Sequence, residues 1–107
     1  MRVYTVRPQP FGEDAVAKEI RFIVATARAR GERIFAVDSR ECSPYLRQAT
    51  RHALAALKRE GRIDFTVPAE RFCAEDMRAA YLLERDPTLA DEELLKTESD
   101  GITLVSL

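Results

Sequence analysis

Tryptophan is absent from this 107-residue chain, histidine occurs once, and lysine occurs three times against fourteen arginines. The two cysteines, Cys42 and Cys73, lie 31 positions apart with no CxxC pair. That excludes a disulfide framework, and both thiols are expected to be reduced. Cys42, His52 and Cys73 lack both ligand spacing and a fourth ligand, so no zinc site is expected. All four glycines are isolated, which rules out a glycine-rich loop cradling phosphates. No apolar run approaches the roughly 18 residues of a membrane span. The opening MRVYTVRPQP has no secretory apolar segment, so a cytoplasmic protein without a membrane segment or cofactor is expected.

What is present is a third charged and nearly half hydrophobic residues, a globular composition. The length suits one domain, residues 1–107, with one modest core. The net charge of −1 conceals a division along the chain. Residues 1–62 carry 13 basic and 7 acidic residues, whereas residues 63–107 carry 4 and 11. A basic first part can meet a polyanion, and an acidic remainder can pack on it or dock a basic partner.

Hydrophobic periodicity predicts the order βαβαβααβ. Arg2–Arg7 reads as a strand closed by Pro8 and Pro10. Glu13–Arg30 reads as a helix ended by Gly31, with Val16, Ile20, Ile23, Val24 and Ala27 on one apolar face. Phe22, Ala15, Ala25 and Ala29 make a second apolar patch nearly opposite. Arg33–Asp38 is an apolar strand. Ser43-Pro44 opens a helix that runs to Glu60 and stops at Gly61, and Ile63–Val67 alternates as a half-buried strand. Cys73–Glu84 reads as a helix, an acidic helix follows to about Lys96, and ITLVSL after the Asp100-Gly101 turn reads as a strand.

The helix 44–60 carries the most functional information. Leu46, Thr50, Ala53 and Leu57 share its inner face, with Ala49 and Leu54 at the margins. The outer arc bears Arg47, Gln48, Arg51, Lys58 and Arg59, with no acidic residue before Glu60. Arg, Gln and Lys on an exposed helix face suit guanine, adenine and phosphate contacts in a major groove. The stretch ATRHALAALKREGRIDFTV resembles the recognition helix and first wing strand of winged helix-turn-helix DNA-binding domains. The resemblance spans residues 13–72. It implies an α+β fold with a wing formed by IDFTV, turning at Pro68–Glu70 and returning through Arg71-Phe72. Asp38 and Glu41 would cap a very short positioning helix in DSRE. The acidic segment 73–107 would be an addition.

The same resemblance implies a small non-enzymatic DNA-binding protein, a transcription regulator or accessory factor, whose partner is double-stranded DNA. Arg47, Gln48 and Arg51 would read bases, Tyr45 would bond a phosphate, and Lys58, Arg59 and Arg62 would neutralise the backbone. A homodimer through the first helix or the C-terminal helices would supply affinity.

Two other readings stay open. The βαβαβ order also fits a small three-layer α/β domain with parallel strands, whose ligands gather at the strands' carboxyl ends. There Cys42, just before a helix N-terminus, would be a nucleophile, with Arg40 or Arg47 binding an anion and Asp38 serving as base. The C-x4-R spacing does not match a phosphatase loop, and free cysteine is usually a small core hydrophobe. Alternatively, the acidic C-terminal third would make a protein-interaction or inhibitor module.

Overall fold

The computed structural model describes residues 1–8, 12–96 and 99–107. Its elements are β1 (Arg2–Thr5), α1 (Glu13–Ala29), β2 (Ile34–Asp38), α2 (Pro44–Arg59), β3 (Phe65–Pro68), α3 (Met77–Arg85) and β4 (Ile102–Ser106). Short 3-10 turns cover Ala69–Arg71, Pro87–Asp91 and Glu93–Lys96. The chain is thus mixed α and β, with one four-stranded mixed sheet in the order β1-β2-β4-β3.

β1 pairs parallel with β2, and β4 runs antiparallel to both β2 and β3. Helices α1 and α2 cover one face of this sheet. Val16, Ile20, Ile23 and Ala27 of α1 and Leu46, Leu54 and Leu57 of α2 pack there on Phe35, Val37 and Val105. On the opposite face, Ala79 and Leu82 of α3, with Leu89 and Leu95 of the 3-10 turns, cover Ala36, Val67, Ile102 and Leu104. β4 is buried at every residue, as a strand covered on both faces must be.

The two long helices follow their sequence pattern. All five residues assigned to the inner face of α1 are buried. α2 buries Leu46, Ala49, Thr50, Leu54 and Leu57, and the Thr50 hydroxyl is satisfied by donating to the Leu46 carbonyl at 2.9 Å. Ser43 caps α2 by accepting the Leu46 N–H at 3.3 Å, ahead of Pro44. At the other end the Gly61 N–H bonds the Lys58 carbonyl and the Arg62 N–H bonds the Leu57 carbonyl. This pairing needs a left-handed residue, and Gly61 has φ 75°.

Several expectations are corrected. β2 and β3, the strands a wing would bring together, are separated by β4 and run in the same direction. Residues 69–71 form a 3-10 turn, so no strand returns through Arg71-Phe72. DSRE makes no short helix; the Asp38 carboxylate turns back onto Arg40, accepting its backbone N–H and two side-chain N–H groups at 2.9–3.0 Å. The third helix begins at Met77 rather than Cys73, because Asp76 caps it through the N–H groups of Arg78 and Ala79. The expected acidic helix is two 3-10 turns, since Glu92 between them has an extended backbone. Pro10, expected to help close β1, lies outside the described residues.

Gly101, just before β4, lies close against the loop after β2. A Cβ there would sit 2.7–2.9 Å from the Cγ, Cα and N of Arg40, while the Gly101 carbonyl accepts the N–H of Ser39 at 2.7 Å. Backbone cannot yield as a flexible side chain does. Gly101→Ala is therefore expected to lower stability by about 1–3 kcal/mol, read as a lower midpoint in urea unfolding with an unchanged slope.

Candidate nucleic-acid interface on the second helix

Helix α2 has no acidic residue between Pro44 and Arg59, yet its cations are not equivalent. Arg51 is half-buried. Its guanidinium donates to both Glu70 carboxylate oxygens at 2.8 Å and to the Ile102 carbonyl at 3.3 Å. Its Nε reaches the Thr103 hydroxyl at 3.4 Å. A fork engaged by the turn after β3 and by β4 holds α2 against the sheet and cannot also grip a guanine. The buried Nε of Arg47 lies 3.1 Å from Asp100 Oδ1, an ion pair without the alignment of a hydrogen bond. The two arginines expected to read bases are therefore held by acidic side chains.

The remaining candidates divide between the two ends of α2. Tyr45 is 60% exposed at the start, its hydroxyl donating to Glu13 at 3.1 Å, and Gln48 is exposed beside it. Lys58, Arg59 and Arg62 are exposed at the other end. Among the described residues Lys58 and Arg59 form no ion pair, and Arg62 stands 3.6 Å from Glu60. Arg28, in the last turn of α1, joins this group and donates to the Arg62 carbonyl. Together Arg28, Lys58 and Arg62 border a shallow depression of about 500 Å³ whose rim includes one acid, Asp64.

A sequence reading could not include Arg28, because only the packing of α1 beside α2 brings it there. The basic residues at both helix ends are the available signal, since cations also stabilise helix C-termini.

The sheet separates charge. Residues 69–96, most of the layer opposite α2, hold eight acidic and four basic residues. Most of the acidic excess thus lies in that layer, while Glu70, Asp100 and Asp64 meet the cations of the α2 side.

The carboxyl ends of the strands look different from a catalytic site. Cys42 is buried, its thiol 3.6 Å from the Val6 carbonyl. Burial, then the nearby Glu19 and Glu41, raises its pKa, the reverse of what a thiolate nucleophile needs. Burial also pushes the Asp38 carboxyl up, but its hydrogen bonds from Arg40 outweigh this and hold it below the ordinary value. Such a carboxylate is a poor base. Among the described residues no cluster of three or more His, Cys, Asp or Glu could hold a metal ion, and no helix is long and apolar enough to cross a membrane. His52 is exposed on the α2 arc, bordering a cleft of about 450 Å³ with Arg47, Gln48, Arg51 and Asp100. No protein-family model matches the chain, and no curated protein or solved structure matches it.

Two outcomes follow from these contacts. Hydrogen bonds from Arg51 lower the Glu70 pKa, so its contribution to stability is present above the unfolded-state value and disappears as pH falls through the folded one. Glu70→Gln is expected to cost about 1 kcal/mol at neutral pH and to flatten the acid limb of stability against pH, measured by urea unfolding from neutral to acid conditions. Alkylation with iodoacetamide, followed by peptide mass spectrometry, is expected to label exposed Cys73 well before buried Cys42; comparable rates would contradict the packing of Cys42.

Proposed function

We propose that the protein is a non-enzymatic nucleic-acid-binding protein that engages the phosphate backbone of duplex DNA through the end of α2. The single observation that carries this reading is the cluster of exposed Arg28, Lys58 and Arg62 around one depression, with exposed Arg59 next to Lys58 in the chain and Asp64 and Glu60 as the acids nearby. Four cations at one end of a layer can displace counterions from a duplex. The acidic face across the sheet favours approach from the α2 side alone. With Arg47 and Arg51 engaged internally, Gln48 alone remains of the three expected base readers, so backbone contact dominates over sequence reading.

In this reading affinity falls steeply with salt and changes little among duplexes of different sequence. The test is fluorescence anisotropy of labelled duplexes at several salt concentrations. Replacing Lys58, Arg59 and Arg62 together by alanine should lower low-salt affinity by about tenfold or more. The salt slope should shrink by about one for each phosphate that is no longer neutralised. Absence of low-salt binding, or a triple variant that binds as the wild type does, refutes the proposal.

A further inference from the structure

Arg47 carries a guanidinium without a hydrogen bond. Its side chain is 23% exposed, and Asp100 Oδ1 stands beside its buried Nε at 3.1 Å but out of line. Among the described residues no acceptor meets its two terminal nitrogens. A buried donor left without a partner points to an acceptor from outside the chain.

Arg47 is not alone on this surface. Positions 47, 48, 51 and 52 occupy adjacent rows on one side of α2, and with Pro44 and Asp100 they line the cleft of about 450 Å³. Gln48 and His52 are exposed, and among the described residues neither side chain has a hydrogen-bond partner. Arg51 differs, because its donors go to Glu70, Ile102 and Thr103. The cleft therefore gathers unengaged N–H donors from three side chains, a guanidinium, an amide and an imidazole. It holds one acid. The Asp100 side chain is 57% exposed, and its Oδ2 has no partner among the described residues.

We propose that this cleft binds inorganic phosphate in a form that still carries a proton. Donors from two successive turns of α2 suit an anion with oxygens in several directions, whereas a carboxylate is met by one guanidinium fork. Asp100 makes the choice among anions. A P–O–H group donates to a carboxylate, so Asp100 Oδ2 accepts from hydrogen phosphate. Sulfate and the phosphodiesters of a duplex have no such hydrogen at neutral pH, and the same carboxylate repels them. A phosphomonoester loses its second proton at a pKa of about 6, which leaves inorganic phosphate as the better donor. The site is separate from the helix end proposed for DNA, and neither reading depends on the other.

The test is proton–nitrogen NMR of the full chain, titrated with phosphate at neutral pH and constant ionic strength, with sulfate in parallel. Phosphate is expected to shift the amides of residues 47–52 and 100–101 to saturation, and sulfate to bind about tenfold more weakly. Gln48→Glu adds a carboxylate at an exposed position and is expected to weaken phosphate about tenfold. Asp100→Asn keeps an oxygen beside Arg47 but loses the charge, and is expected to bring sulfate level with phosphate. Should that variant unfold, the phosphate-to-sulfate ratio of the wild type decides. No saturable shift with phosphate, equal affinity for sulfate in the wild type, or an unchanged affinity in Gln48→Glu overturns the proposal. Loss of phosphate binding when Lys58, Arg59 and Arg62 are replaced by alanine also overturns it, by placing the anion at the helix end.

Discussion

β4 is the constraint on which the structure depends. Its residues bond β2 along one side and β3 along the other, and it is buried on both faces. Without it, β2 and β3 would be two strands running the same way with a gap between them. Both cores would lose their floor, because Val105 belongs to one and Ile102 and Leu104 to the other. The loop before β4 is fixed with equal care. Ser39 bonds the Gly101 carbonyl through both its N–H and its hydroxyl, and Arg40 packs against Gly101 too closely for any side chain. The acidic third therefore completes the fold and is not an appendage to it.

The same arrangement explains which charges are free. β4 brings Asp100 beside Arg47, and the turn after β3 brings Glu70 onto Arg51. These partly buried pairs orient α2 against the sheet. They also withdraw two arginines from the surface that otherwise suits a polyanion. Cations at the far end of α2, where the chain leaves β4 through Leu107, stay exposed.

Much of the helical structure was legible in the sequence. The 3.6-residue period of α1 and α2, the Ser43-Pro44 start and the stop at Gly61 are local signals, and local physics decides them. The order of the sheet was not legible, because RIFAVD, IDFTV and ITLVSL carry no mark of which strand pairs with which. One clue was available: ITLVSL has no regular polar alternation, as befits a strand buried on both faces. It argued against a two-stranded wing and for a central position. The candidate site suffered from the same gap. Periodicity placed Arg47 and Arg51 outside the helix core, but their acidic partners are far off in sequence and come close only through the sheet order. Cys42, in contrast, could be recognised as a packing residue from its type alone.

The place of β4 also governs when this fold can exist during synthesis. Residues 102–106 are the final part of the sheet to be made, yet they fill its middle. Until they leave the ribosome, β2 and β3 each expose a row of unpaired backbone groups. Helices α1 and α2 can form early, since their signals are local, but the sheet closes in one late step. A chain cut before residue 102 leaves both cores without their floor, and is expected to be a substrate for chaperones and proteases, not a partial domain.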